Sequence, residues 1–248
     1  MLELFGWALG VMAWEFADLE KRVPQPRWQN VHGYRMPRYE ERSVEQAMVQ
    51  KVAHIISGLN AMRLLLEHGH VHEQAGLHRS LDDAVNEVFF FYNGVTKGLA
   101  PKHVQQLDAF WEELFDHADP LKATSKNPNL VSSAQIRATN IRAAGFDDTS
   151  TMDAAGHAIH KAYSSYLHAA SPPIMDLYDM AEGRFRVYGM RGTLRMHEHV
   201  SDAANYIFRG FGSVYFLASA LGDGAAAARI HAAAGQFAEK AGVEETPI

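Results

Sequence analysis

The segment HAIHKAYSSYLHAASPP, residues 157–173, combines histidines, a lysine and serines that could carry out acid–base chemistry on an anionic substrate. On a helix that turns by about 100° per residue, five of its polar side chains share one arc of roughly 100°. These five are His157, Lys161, Ser164, Ser165 and His168. An imidazole can move a proton while a nearby cation stabilises developing negative charge. The alternative is a polar helix face that contacts only water.

The elements that would position this face are predicted to be helices, because apolar residues recur at intervals of three and four along most of the chain. Ser43 precedes Gln46 by three residues, which is a capping-box pattern, and Gly69 marks the end of the same segment. The helix that carries the polar face must end before Pro172. We expect further helices at the N-terminus and over residues 77–98, 101–117, 131–144, 174–182, 197–222 and 224–241.

Composition places limits on the function. The chain has 248 residues, of which 47% are hydrophobic, so it is long enough for a sizeable core. It contains no cysteine, which excludes disulfides, thiolate zinc sites and cysteine nucleophiles. The net charge of −6 argues against a general nucleic-acid coat. The apolar N-terminal run is too short to span a bilayer and lacks the features of a signal peptide. We therefore expect a cytoplasmic protein without a membrane partner.

Two segments are predicted to be irregular and are rich in arginine. RVPQPRWQNVHGYRMPRYEER, residues 22–42, is interrupted by prolines and is expected to form an arm on the domain. RFRVYGMRGTLR, residues 184–195, is the least helical part of the chain, and a loop and a short hairpin both fit it. Arg184 and Arg186 in this segment are candidate substrate-binding residues. If the two segments met beside His168, a role in RNA binding would be favoured.

Two stretches carry a resemblance to a known family. IHKAYSSYLHAAS, residues 159–171, and LLLEHGHVHEQAGLHRSLDDAVNEVFFF, residues 64–91, resemble an uncharacterised bacterial family related to the HEPN superfamily. The resemblance covers roughly residues 50–98 and 153–180. It implies a compact α-helical bundle that is commonly dimeric and often acts as a metal-independent ribonuclease in phage defence or toxin pairs.

The resemblance also implies roles for individual residues. The ribonuclease signature of that superfamily is an arginine, four to six residues and then a histidine. His168 matches this histidine and is expected to be the general acid or base, while Lys161 lies at the arginine and would hold the phosphate. Lysine keeps the positive charge but lacks the bidentate fork of arginine, and Ala162 replaces the polar residue that follows the arginine. Ser164 or Ser165 would orient the substrate or the imidazole, and His157 would contact the substrate.

Other candidates have simpler interpretations. Arg79 could add a second cation for phosphate, but an ion pair with Asp82 or Asp83 is the favoured explanation. Arg63 and His68 also have the signature spacing, yet on one helix they diverge by about 140°. The histidines and glutamates of residues 67–78 suggest a metal site, although only Glu67 and His70 have the spacing found in di-iron bundles.

Together these observations predict a single all-α domain, residues 1–248, with an HEPN-like helical bundle. The first functional hypothesis is a metal-independent ribonuclease with a degenerate signature and no cofactor or metal. The alternative is a catalytically inactive module that acts by binding or dimerisation, and a metal-binding bundle is a third option. A homodimer is expected, because the aromatic run YIFRGFGSVYF at 206–216 suits either a core or a subunit interface.

Overall fold

Nine α-helices and two short strand pairs make up the part of the chain that the computed structural model describes, residues 1–31, 33–112, 130–145 and 149–243. The helices are α1 (Leu2–Leu19), α2 (Val44–His68), α3 (Val71–Lys97), α4 (Pro101–Trp111), α5 (Ser133–Ala143), α6 (Thr149–Leu167), α7 (Ser171–Met175), α8 (Leu194–Ala220) and α9 (Gly224–Ala241). The strands are β1 (Arg27–Val31), β2 (Tyr34–Arg38), β3 (Tyr178–Asp179) and β4 (Arg184–Phe185), which pair antiparallel as β1–β2 and β3–β4. The predicted all-α bundle is confirmed.

The helix ends show which local signals were decisive. The Ser43–Gln46 capping box starts α2, and Gly69, in the left-handed conformation, ends it. Helix α3 begins at Val71, six residues earlier than predicted, because Gly69 allows an immediate turn into the next helix. Residues 113–117 of the predicted third helix lie outside the described residues.

The predicted helix over 174–182 is wrong. Helix α7 begins at Ser171 with proline in its first turn and ends at Met175, after which the chain forms the β3–β4 pair. The Asp179 carboxylate accepts hydrogen bonds from the backbone N–H groups of Ala181 and Glu182, at 2.9 and 3.1 Å. This side-chain bonding stabilises a turn in place of a helix. Residues 184–195 are mainly a loop, which was one of the two interpretations: only Arg184 and Phe185 form a strand, paired with Tyr178 and Asp179, and α8 begins at Leu194.

The 22–42 arm is more regular than predicted, because its centre forms the β1–β2 hairpin. Trp28 pairs with Pro37 and Asn30 with Arg35, and Gly33, with φ of +86°, precedes the return strand. The Arg35 guanidinium lies 5.3 Å from the Trp28 ring, which adds a cation–π contact across the strands. The sequence signal for this hairpin is a pair of short stretches of β-forming residues on either side of a glycine. The prolines in the same segment instead favour an irregular arm.

The core lies between α1, α2, α3, α8 and α9. Its largest fully buried side chains include Phe5, Phe90, Phe91, Phe211 and Phe237. Helix α8 passes close to its neighbours at Gly210, where an added β-carbon would lie 2.6 Å from Leu59 Cδ1. The aromatic run of α8 therefore packs largely inside the chain, so it cannot be the basis for predicting a homodimer. No helix among the described residues is long and apolar enough to cross a membrane.

Helix α3 is the element that positions the candidate sites. One side of it packs on α2 and α8, and its other side packs on α5 and α6. Helix α6 is exposed along most of its length and turns inward only a short face that includes Gly156, His160, Tyr163 and Tyr166. The polar residues predicted to be catalytic thus lie on a helix that is attached to the bundle by few side chains.

Two glycines fix the loop after β4 to the turn between α2 and α3. The Met190 N–H donates to the Gly69 carbonyl oxygen at 2.7 Å. A β-carbon at Gly69 would lie 2.7 Å from the backbone nitrogen of Arg191, and Gly189 packs against the same turn with φ of +106°. Because backbone atoms cannot move aside cheaply, only glycine fits this contact.

We predict that Gly69→Ala lowers the free energy of unfolding by about 2–4 kcal/mol, since it combines left-handed backbone strain with a backbone clash. Gly242→Ala is the matched control, because Gly242 also has a left-handed conformation but faces open space. It should cost only about 1–2 kcal/mol, the strain alone. Urea denaturation measures both, and equal losses would contradict the proposed contact.

Candidate functional site

The face predicted to be catalytic lies on the outer surface of α6. His157, Lys161 and His168 are all exposed. Helix α6 ends at Leu167, so His168 follows it in a turn, held by a backbone hydrogen bond from its N–H to the Ser164 carbonyl at 3.0 Å. Within the described ranges, Lys161 forms no ion pair. The structure therefore presents these residues to solvent instead of gathering them in a cleft.

The two serines of this face are only partly accessible. Ser164 and Ser165 are half-buried, and the Ser165 hydroxyl donates to the Ala162 carbonyl of its own helix at 2.5 Å. A hydroxyl that is bonded within its own helix is less available to orient a substrate. The role predicted for these serines stays a prediction.

The inner face of α6 covers a buried histidine that sequence reasoning missed. The His78 ring, fully buried on α3, stacks on Tyr206 of α8 with ring centroids 4.0 Å apart. Tyr163 of α6 meets the same ring edge-on at 4.6 Å. Gln74, one turn earlier on α3, is hydrogen-bonded to His78 Nε2. We call the layer formed by Gln74, His78, Tyr163 and Tyr206 the histidine layer.

The histidine layer contains polar atoms without partners. His78 Nδ1 and Gln74 Oε1 are buried and make no hydrogen bond in the described part of the chain. Exchanging the amide oxygen and nitrogen of Gln74 would not repair this, because one ring nitrogen of His78 stays unpaired in both orientations. Burial, followed by the charges of His199 and Arg209, lowers the pKa of His78 to about 3. The imidazole is therefore neutral at physiological pH.

Two tyrosines attach the edge of α6 to the rest of the bundle. The Tyr163 hydroxyl donates to Asp202 Oδ2 on α8, and the Tyr166 hydroxyl donates to Asp176 Oδ2 after α7, both at 3.3 Å. Burial, reinforced by these carboxylates, raises the pKa of each phenol. The phenols remain protonated donors, so they serve as structural attachments and not as bases.

Arg79 lies in an ion pair, as the favoured explanation predicted. Its guanidinium contacts the Asp83 carboxylate one turn further along α3. Asp82 instead accepts from Arg209 of α8 at 2.8 Å. Burial, followed by the charges of Arg79 and Arg137, lowers the pKa of His160, which shows that α6 brings His160 close to both guanidinium groups.

The arginines of residues 184–195 are held by carboxylates or carbonyls. Arg186 pairs with Asp179 and Glu182, and Arg184 pairs with the same Glu182. Arg195 pairs with Asp176 at 2.7 Å and with Glu198 at 2.9 Å.

Arg191, the fourth arginine of the segment, donates to the Glu67 carbonyl oxygen. Four arginines thus lie among four acidic side chains, Asp176, Asp179, Glu182 and Glu198, and the surface has no net positive charge. A shallow cavity of about 330 Å³ lies here, lined by residues that include Met180, Arg186 and Arg195.

Exposed apolar side chains are frequent in this part of the sequence, and Met175, Met180 and Leu194 line the cavity. Of the 18 exposed large apolar residues in the described ranges, seven belong to residues 167–194. We call these seven the end surface: Leu167, Met175, Met180, Phe185, Val187, Tyr188 and Leu194. Tyr188 is 93% exposed and Met180 is 85% exposed, so neither contributes to the core.

The two arginine-rich segments lie at opposite ends of α2. The β1–β2 hairpin lies at its N-terminal half, where Gln46 donates to the Pro24 carbonyl oxygen at 3.4 Å and where Gln50 and Arg38 line one pocket. The 184–195 segment contacts Gly69, just past the other end. At 1.5 Å per residue, Gln50 and Gly69 are roughly 28 Å apart. The basic segments do not meet beside His168.

The histidines and glutamates of residues 67–78 point in different directions. Glu67 pairs with Arg63, His72 Nδ1 donates to the Pro173 carbonyl oxygen at 3.3 Å, and His78 lies in the core. In the described parts of the chain, no group of three or more acidic or histidine side chains is arranged to hold a metal ion.

Comparisons with protein-family models, with curated proteins and with solved structures found no match for the chain. The HEPN relationship therefore stays a prediction from the two resembling stretches.

The missed residues carried a readable signal. Gln74, His78 and Asp82 recur at four-residue spacing and so share one face of α3, which is a polar stripe on an otherwise buried helix. The partners Tyr206 and Arg209 lie one turn apart on α8, within a run that had been assigned to apolar packing.

We predict that the protein loses stability as the pH falls, and that His78 accounts for part of the loss. The unfolded chain binds a proton on this histidine below a pKa of about 6.5, whereas the folded chain does not until about pH 3. The free energy of unfolding should therefore fall by up to about 1.4 kcal/mol per pH unit below that value. His78→Phe keeps a planar ring between the tyrosines. When the pH is lowered from about 7 to about 5, its free energy of unfolding should fall by about 2 kcal/mol less than that of wild type.

Denaturation in urea at the two pH values measures this difference. His231→Phe is the control, since His231 is exposed on α9. It should follow the pH dependence of wild type. Equal pH dependence in His78→Phe and wild type would show that His78 is protonated in the folded state.

Proposed function

We propose that the protein is a self-associating binding module that forms a homodimer through the end surface, and that it is not a ribonuclease. The observation that carries this proposal is the concentration of seven exposed large apolar side chains within residues 167–194. Met180, Val187 and Tyr188 are more than half exposed, so the described part of the chain leaves them largely unpacked. Covering them with a second copy removes this apolar surface from water.

The balance of charge supports a second copy as the partner. In an isologous dimer the same patch meets itself, so each positive group needs a negative group nearby on the same patch. Arg186 and Arg195 alternate with Asp176 and Asp179 around the cavity, which meets this requirement. A polar rim of paired charges around exposed apolar residues is also the usual anatomy of an interface.

The same balance argues against RNA as the partner. Binding to a phosphate backbone depends on cations that are free to replace counterions. The arginines of 184–195 are already bonded to carboxylates or carbonyls, and the other basic segment lies roughly 28 Å away along α2. Lys161 on α6 and His168 in the turn after it are both exposed, and no pocket described within the ranges that the structure covers is lined by either of them.

We predict that Tyr188→Asp makes the protein monomeric. Tyr188 is the most exposed of the seven residues. A charge at this position would be desolvated in the dimer, and we expect a loss of at least tenfold in the dimer association constant. Sedimentation equilibrium over a range of concentrations gives that constant. Trp28→Asp is the matched control, because Trp28 is 64% exposed on the hairpin at the opposite end of α2.

The control should dimerise like wild type. A wild-type protein that stays monomeric at all concentrations, or a Tyr188→Asp variant that dimerises as well as wild type, would overturn the proposal.

We further predict that RNA incubated with the wild-type protein in EDTA remains intact, and that His168→Ala behaves identically. Gel analysis of single-stranded and structured RNAs measures this. Cleavage by wild type that disappears in His168→Ala would instead support the ribonuclease that the HEPN resemblance implies.

A further inference from the structure

An uncompensated positive charge is buried where α3 meets α5, α6 and α8. The interior of this region holds three arginines and two aspartates. Asp82 is bonded to Arg209, and Asp83 is bonded to Arg79. Neither carboxylate remains for the third arginine, Arg137 of α5.

Both carboxylate oxygens of Asp83 already have partners other than Arg137. Its Oδ2 contacts Arg79, and its Oδ1 accepts from the Ser133 hydroxyl of α5 at 3.0 Å. Each of the two aspartates is therefore paired with an arginine other than Arg137. The guanidinium of Arg137 has no carboxylate partner among these residues.

Arg137 is only 8% exposed. Its Nε and Nη1 are buried and have no hydrogen-bond partner in the described ranges. A buried, unpaired charge is strongly unfavourable. Arginine cannot escape this cost by losing its proton, because its pKa is too high. Such a side chain requires an anion, and the described part of the chain does not supply one.

The groups around Arg137 suit an anion with several oxygen atoms. His160 lies one helical turn after Gly156 on the inward face of α6, the face that contacts Arg137. Burial, followed by the charges of Arg79 and Arg137, lowers its pKa, and Asp83 and Asp82 partly offset this. Helix α6 passes over the side chain at Gly156, where a β-carbon would lie 3.2 Å from Cδ and 3.3 Å from Nε of Arg137. Because Gly156 has no side chain, the backbone of α6 can pass this close to the unpaired nitrogen.

We propose that α3, α5 and α6 form a binding site for a phosphate-type oxoanion, with Arg137 as its central ligand and Arg79 and His160 at its edges. A phosphoryl group matches this site because it offers several acceptor oxygens to more than one cation. The site is separate from the end surface and does not depend on the proposed dimer.

The first test compares wild type with Arg137→Met, which removes the charge and keeps a flexible apolar side chain. Without oxoanions, in chloride buffer, the variant should have the higher Tm, because the unpaired charge is gone. In inorganic phosphate at the same ionic strength the order should reverse, since the anion stabilises only the chain that binds it. This crossing of the two Tm values is the expected result.

Two other outcomes would overturn the proposal. A variant that is less stable than wild type in both buffers, or that fails to fold, would show that Arg137 has a structural partner elsewhere in the chain. A variant that is more stable in both buffers would show an unpaired charge that binds no anion.

The second test measures binding directly by titrating wild type with inorganic phosphate in a calorimeter. Arg137→Lys should bind about ten- to a hundredfold more weakly, since it keeps a charge but loses charge-assisted hydrogen bonds. Arg142→Met is the matched control, because Arg142 is exposed on the same helix. It should bind like wild type. Equal binding by wild type and Arg137→Lys, or no binding at millimolar phosphate, would contradict the site.

Discussion

The rest of the structure depends on how the few carboxylates of α3 are shared among the helices that surround it. Asp82 and Asp83 are adjacent in sequence and therefore point about 100° apart on the helix. Asp82 reaches Arg209 on α8, while Asp83 holds Arg79 on α3 and Ser133 on α5. Two neighbouring residues thus join α3 to the main bundle on one side and to its outer helices on the other.

This division explains why the two sides of α3 differ in character. On the side of α2 and α8, large apolar residues fill the core and the ion pair of Asp82 lies at its edge. On the side of α5 and α6, polar and aromatic side chains dominate the contact, and buried atoms such as His78 Nδ1 have no partner. Each unpaired buried atom costs roughly 1–3 kcal/mol. Each aromatic contact of Tyr163 stabilises the interface by about 0.5–1.5 kcal/mol, which does not exceed the cost of the unpaired atoms. The contact of α6 with the bundle is therefore weaker than that of α2 or α8.

The sequence predicted the helices well because their signals are local. The capping box at Ser43, the glycine at 69 and the proline at 172 each act within one turn of the chain, and the structure follows all three. The hairpin at 27–38 was not predicted, because the prolines of this segment favour an irregular arm and the flanking β-forming residues form only short stretches. The turn at Asp179 was missed because one side chain bonds two backbone N–H groups, and periodicity does not register such a contact.

The candidate sites were harder to predict, because they depend on contacts between distant residues. Angular spacing separated His157 and Lys161, which are exposed, from Tyr163 and Tyr166, which face the bundle, whereas His168 lies in the turn after α6. Spacing could not show which side faces the bundle. The polar side was read as a site, but the tyrosine side is the one that meets α3 and α8. Pairing partners more than 100 residues apart, such as Arg209 and Asp82, leave no trace in local spacing.

The placement of charge separates a protein-binding surface from a nucleic-acid-binding one more clearly than the number of arginines does. Residues 184–195 contain four arginines, which in the sequence alone suggested contact with phosphate. In the fold, Asp176 and Asp179 lie directly beside two of them and cancel the long-range field that would attract a polyanion. Paired in this way, Arg186 and Arg195 act over short distances only, where they select a partner by shape and by the position of its charges. This distribution of charge is the reason why we propose a second copy of the chain, and not a nucleic acid, as the partner of the surface around Tyr188.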